Sequence, residues 1–216
     1  MIGGVPRLYV VADRGIFRTD REWLERLADV ARAIADLPDV GLQVRAKVTE
    51  PARRARLVAR ARAVLVGAGG ESLLDRTLLN GTTAAATVAG YGGAHWPEAA
   101  IPAEPDPHAG RLVVAASIHS VAGLVRAEAA GAHFVLFGPV FNPGSKPGLG
   151  VGLGALDEVV SGARVPVVAI GGIAPADVGP CLRAGAAGVA VVTGVLRAPD
   201  PARAIADYRS ALENAV

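Results

Sequence analysis

Short runs of β-branched and other apolar residues alternate with amphipathic segments rich in Ala, Leu and Arg along the whole chain. Such alternation predicts parallel strands joined by crossover helices. Eight strands are expected: Arg7–Ala12, Gly41–Arg45, Thr77–Leu79, Gly93–Trp96, Leu112–Ala116, Phe134–Phe137, Val165–Ile170 and Gly188–Val192. A first helix over Arg21–Asp36 follows Asp20 as its expected N-cap. A last helix over Pro201–Leu212 follows Asp200, with Pro201 at the first helical position. The stretch Glu98–Gly110, rich in Pro, Ala and Glu, predicts an irregular connection in place of a regular fourth helix.

Two segments echo each other. Ala129-Ala130-Gly131-Ala132-His133 leads into Phe134–Gly138 much as Arg183-Ala184-Gly185-Ala186-Ala187 leads into Gly188–Gly194. In each, one glycine is placed to end a helix in the left-handed conformation and a second to let another chain segment or a ligand approach the backbone. Repetition two units apart fits a single (β/α)8 TIM barrel spanning residues 1–216. The competing architecture, a doubly wound open sheet, lacks the Gly-x-Gly-x-x-Gly that a dinucleotide-binding version needs after its first strand.

Composition narrows the picture. Hydrophobic residues make up 51% of the 216 and charged residues 19%, with mean hydropathy +0.38, so there is ample surface to bury. Net charge is +2, from 22 basic against 20 acidic residues, which gives nucleic-acid binding little support. The densest basic stretch, Arg53, Arg54, Arg56, Arg60 and Arg62, has helical spacing and reads as a solvated helix face. A lone Cys181 excludes an internal disulfide and suits a buried position in a helix. No apolar run is long enough to span a bilayer, and Met1 is not followed by a leader pattern, so a soluble cytoplasmic protein is expected. The apolar composition and short helices are compatible with a homodimer.

In a barrel of this kind the chemistry belongs at the C-terminal ends of the strands. Gln43, Arg45 and Lys47 share one face of the second strand, expected to be the lumen, where polar groups are costly unless they meet a ligand or each other. Val165–Ile170 breaks into Gly171-Gly172-Ile173, and the eighth strand ends at Val192-Thr193-Gly194. Unpartnered backbone N–H groups at these two turns would make an anion site, so Gly171, Gly172, Val192 and Thr193 are the expected phosphate-binding residues. His119, after the fifth strand, is a candidate for proton transfer, with a capping or hydrogen-bonding role at the start of the helix that follows as the alternative. His95 and His133 read as structural and His108 as exposed.

The strings Gln43-Val-Arg45-Ala-Lys47, Leu79-Asn80, Ser117-Ile-His119-Ser120, Gly138-Pro-Val-Phe141, Ser145-Lys146-Pro147, Ala169-Ile-Gly171-Gly172-Ile173 and Gly188-Val-Ala-Val-Val192-Thr193-Gly194 resemble, in order, the thiamine phosphate synthase superfamily from about Leu8 to Tyr208. One branch of that superfamily joins a pyrimidine diphosphate to a thiazole phosphate, expelling pyrophosphate with Mg2+ held by two aspartates. Gly81 and Ala100 stand in their places, with Glu98 nearby. Its Pro-Thr-x-Thr-Lys diphosphate segment reads Asn142-Pro143-Gly144-Ser145-Lys146. The other branch, the thiazole tautomerases, shifts a proton in a carboxythiazole phosphate without a metal. Leu79-Asn80-Gly81 and Val135-Leu-Phe-Gly138 make the chain similar to this branch in particular. On that resemblance His119 moves the proton, Arg45 or Lys47 neutralises the substrate carboxylate, and Asn80 and Ser117 orient the ring. No metal or other cofactor is expected, Mg2+ being needed only for the synthase alternative. Ala46 replaces a family glutamate and motivates a third reading, a non-catalytic binder of a phosphorylated metabolite.

Overall fold

The computed structural model describes residues 5–142 and 148–215. Its strands are β1 (Leu8–Asp13), β2 (Val40–Arg45), β3 (Thr77–Asn80), β4 (Gly93–Trp96), β5 (Val113–Ile118), β6 (Phe134–Phe137), β7 (Val167–Ile170) and β8 (Gly188–Val191). All pair in parallel with their sequence neighbours, and β8 closes on β1, so the sheet is a complete barrel. Helices α1 (Asp20–Ile34), α2 (Pro51–Gly69), α3 (Thr83–Ala89), α4 (Val121–Ala130), α5 (Gly152–Gly162), α6 (Val178–Arg183), α7 (Thr193–Leu196) and α8 (Pro201–Glu213) connect and flank the strands, together with short 3-10 turns. The (β/α)8 barrel expected from the sequence is therefore the observed fold. Among the described residues no helix is long and apolar enough to cross a membrane.

Strand residues alternate between two cores. Inward-facing Tyr9, Val11, Leu78, Ala115, Phe134, Leu136, Val168 and Ala190 fill the lower lumen, with the Tyr9 and Phe134 rings tilted at 56° and 5.7 Å apart. Outward-facing residues such as Leu8, Val10, Leu42, Val44, Val135 and Val189 pack under the helices. The lumen is thus plugged from below, and only its upper, C-terminal rim can hold a ligand.

Several boundaries differ from the expected ones for identifiable reasons. The α1 N-cap is Thr19, not Asp20: its hydroxyl accepts from the Glu22 amide while the Glu22 carboxylate accepts from the Thr19 amide. That frees Asp20 to take Arg14 and Arg53. Helix α1 ends at Ile34, where the Arg76 guanidinium donates to the carbonyls of Ile34, Ala35, Leu37 and Val40. The last helix has Asp200 as its N-cap, as expected, bonded to the Arg203 amide. Strand β7 starts after Pro166, which has no N–H for the ladder but whose carbonyl still accepts from Val135. Strand β5 continues to Ile118 and carries Ser117 into the lumen beside Leu136. Beyond a single 3-10 turn at Glu98–Ala100, the connection to β5 has no regular helix.

Both members of the internal echo behave as expected. Gly131 ends α4 in the left-handed conformation, and Gly185 follows α6 with φ 84°. A Cβ on Gly138 would lie 1.9 Å from the Ile170 carbonyl, so only glycine permits that approach. Cys181 is buried in α6, and burial pushes its thiol up to about 11. Along α2, Arg53, Arg56 and Arg60 are exposed, which agrees with a solvated face; Arg54 departs from it, turning back toward the barrel.

Candidate active site

A cavity of about 660 Å³ opens at the C-terminal ends of the strands. It brings together Gln43, Arg45, Asn80, Ser117, His119, Gly171, Gly172, Val192 and Thr193, and adds Asp13, Glu98 and Asn142. Lys47 is not part of its lining. It faces a smaller hollow of about 250 Å³ beside Arg14 and Arg53, because β2 ends at Arg45 and the strict alternation stops there. Ser145 and Lys146 lie outside the described residues.

On the β7–β8 side the walls are backbone. Gly171 and Gly172 have φ of 102° and 65°, which side-chain-bearing residues rarely adopt. A Cβ on Gly171 would sit 2.5 Å from Pro139, and one on Gly172 would sit 2.7 Å from the Asn142 carbonyl. The loop is held by bonds from the Val140 amide to Ile170 and from the Phe141 amide to Gly171. Among the described residues, the amides of Gly171, Gly172 and Ile173 donate to no protein acceptor. Tyr208 closes the floor of this side by donating to the Ile173 carbonyl, and its hydroxyl occupies the space a side chain at Gly194 would need. These are features of an anion cradle built from amides.

The β1–β5 side is made of side chains. Gln43 is buried in the lumen, and Arg45 above it pairs with Asp13, which also accepts from the Gly15 amide. His95 lies fully buried beneath the cavity with Nε2 2.7 Å from Ser117 Oγ. Burial, reinforced by the Arg45 charge, pushes its imidazole down to about 3, so it is neutral. Its Nδ1 has no hydrogen-bond partner. A buried orphan acceptor is less costly than a buried orphan N–H, so the proton belongs on Nε2, and the Ser117 hydroxyl is left to donate upward. His95 is structural, as expected, and what it supports is a side chain that lines the cavity. His133 is structural too, its Nδ1 accepting from the Val114 amide. His108 is half-buried instead of exposed, tucked in by the Asp106 turn.

His119 sits at the rim, exposed. Its Nδ1 lies 2.5 Å from the Gly138 carbonyl and must donate to it, because a carbonyl can only accept. Nε2 is left facing the cavity, 3.8 Å from Glu98 Oε2. His119 does not cap α4, which Ser120 does through its own hydroxyl, but the hydrogen-bonding half of the alternative is present in the bond to Gly138.

The two positions that the resemblance associates with Mg2+ do not supply a metal site. Gly81 and Ala100 offer no oxygen ligand from a side chain, and Glu98 is engaged by Arg126 at 3.1 Å. Among the described residues no three His, Cys, Asp or Glu side chains are grouped as a metal would require. A hard divalent cation needs several oxygens, so the residues present do not fit it.

Comparison with known proteins bears on which relatives the chain has. The family model described as thiamine monophosphate synthase matches residues 8–195. A thiamine-phosphate synthase of Salinispora arenicola is 34% identical over 98% of this chain and 99% of its own length. One from Methanoculleus marisnigri is 44% identical over 45% of this chain, and the match spans only 47% of that relative. Thiamine phosphate pyrophosphorylase from Pyrococcus furiosus superposes over the full length of both chains with TM-score 0.73 at 22% identity, a likeness of fold. These findings correct the expected affinity with the thiazole tautomerase branch: the relatives carry the synthase name, and one of them matches end to end. The Leu79-Asn80-Gly81 string was too short to decide between branches. The chain belongs to the thiamine monophosphate synthase family.

Proposed function

We propose that this chain joins two phosphorylated heterocycles, a thiazole phosphate and a pyrimidine diphosphate, releasing pyrophosphate. The observation that carries this reading is the end-to-end likeness to a thiamine-phosphate synthase, together with a cavity that has anion-binding features on two sides. A ring nitrogen of the thiazole attacks the pyrimidine methylene as its bond to the diphosphate oxygen breaks; the electron pair leaves with the pyrophosphate. The amides of Gly171 and Gly172, with Val192 and Thr193 beside them at the end of β8, hold the thiazole phosphate. Ser117, whose proton is directed upward by His95, and Asn80 orient the rings. Arg45, with Ser145 and Lys146, takes the diphosphate end. Placing both rings in one cavity supplies the orientation that such a transfer depends on. The test is chromatographic detection of the joined product from the two substrates; no product at saturating concentrations sinks the reading.

His119 supports a second reading, a proton shift within a bound thiazole phosphate. Its fixed tautomer leaves Nε2 as a base at the rim of the cavity. Incubating thiazole phosphate tautomer alone with the protein and with His119→Ala decides it: an unchanged rate in the variant removes His119 from proton transfer.

A further inference from the structure

At the rim of the cavity two acceptors face each other. His119 commits its Nδ1 proton to the Gly138 carbonyl, so in the neutral ring Nε2 presents a lone pair. Glu98 Oε2 lies 3.8 Å from that nitrogen, too far for a hydrogen bond. The carboxylate is held by its other oxygen: Oε1 accepts from Arg126 Nη2 at 3.1 Å. The first turn of α4 makes room for it, because a Cβ on Gly123 would lie 2.3 Å from Oε1. Among the described residues, no protein donor reaches Oε2 within hydrogen-bond distance. Both side chains line the cavity, and that of Glu98 is only 21% exposed.

A pinned and largely desolvated carboxylate oxygen calls for a donor. One atom can serve both acceptors only if it carries two hydrogens, and a nitrogen about 2.9 Å from each fits between them. A primary amine on a flat ring meets that requirement. A ring oxygen without hydrogen, as in an ether, would instead present lone pairs to both acceptors. We infer that Glu98 Oε2 and His119 Nε2 together select an exocyclic amine on the pyrimidine reactant, which makes Glu98 a specificity-determining residue. That the amine is carried by a pyrimidine rests on the transfer reading; the acceptor pair does not.

Ligand-observed NMR titration of the protein with 4-aminopyrimidine and with 4-methoxypyrimidine tests it. The amine is expected to bind about tenfold more tightly, the difference expected for a hydrogen bond to a charged group. Glu98→Gln makes the test specific. Arg126 still needs an acceptor and keeps the amide oxygen, so the amide NH2 turns toward the cavity and an acceptor becomes a donor. The preference for the amine is then expected to vanish or to invert toward the methoxy ring. Equal binding of the two rings by the parent, or an unchanged preference in Glu98→Gln, would overturn the inference. The unmodified protein provides a second measurement: in mildly alkaline buffer, proton–nitrogen correlation spectra of the His119 ring should show the proton on Nδ1 and the Nε2 resonance moving as the amine binds. A proton on Nε2, or a resonance that stays still, would sink the proposal. Amine preference without joined product would remove the transfer reading and leave the acceptor pair standing; joined product without amine preference would do the reverse.

Discussion

At the β7–β8 side the cavity is lined by backbone amides on glycines, whereas at the β1–β5 side it is lined by side chains whose charges and protons depend on their neighbours. The amides carry no titratable group, and their geometry follows from positive φ values at Gly171 and Gly172. The other side depends on pairings: Asp13 with Arg45, His95 with Ser117, Glu98 with Arg126, and Arg54 with the Asn80 carbonyl. A backbone cradle can persist while the side-chain wall exchanges its residues. One barrel can therefore keep its grip on a phosphate and change how it treats the second reactant.

That contrast is open to direct challenge. The largest effect expected is acid sensitivity of the side-chain wall. His95 is held down to about 3 in the folded protein, while the unfolded chain takes up that proton near 6.5. Between those values the unfolded state binds more protons, so stability is full above about pH 6.5 and declines as the pH falls toward 3, by on the order of a few kcal/mol. Denaturant melts across this window should show the slope in the parent and a much flatter one in His95→Gln; equal slopes would break the assignment.

The backbone wall should respond to added bulk instead. Gly171→Ala forces a Cβ against Pro139 at an unfavourable φ and should cost about 1–3 kcal/mol, lowering the melting temperature and weakening inorganic phosphate binding together. A variant as stable as the parent would mean that the loop does not need glycine. Ser117→Ala comes next. It leaves the buried His95 N–H without an acceptor, at about 1–2 kcal/mol, and should raise KM for the substrate that Ser117 orients. Smallest is Glu98→Gln, which removes a pair with a largely exposed Arg126 and should change stability by about 0–1 kcal/mol, read in the same melts. A large loss there would show that Glu98 organises more of the β4 end than its contacts indicate.

Much of this is legible in the sequence. The alternation of β-branched runs with amphipathic segments corresponds to all eight strands, and Gly93–Trp96 and Phe134–Phe137 agree to the residue. Gly171-Gly172 and Val192-Thr193 announce themselves because a strand that breaks into glycine is a local event. Lys47 was misplaced because period-two alternation says nothing about where a strand stops pairing. Arg54 is missed for the opposite reason: helical spacing assigns it to a solvated face, and only the fold brings it to the Asn80 carbonyl at the end of β3.

The sequence by itself determined the barrel, the glycine turns and the superfamily, though not its branch, since each rests on local periodicity, backbone preference or ordered strings of residues. Tertiary structure decided which polar side chains meet: that His95 holds Ser117, that His119 is fixed by Gly138 and not by its own helix, and that the space beside Gly81 belongs to a cation. The physical reason is that these groups are brought together by strands and helices far apart in the chain. Their protonation and charge balance are therefore properties of the closed barrel and not of any segment within it.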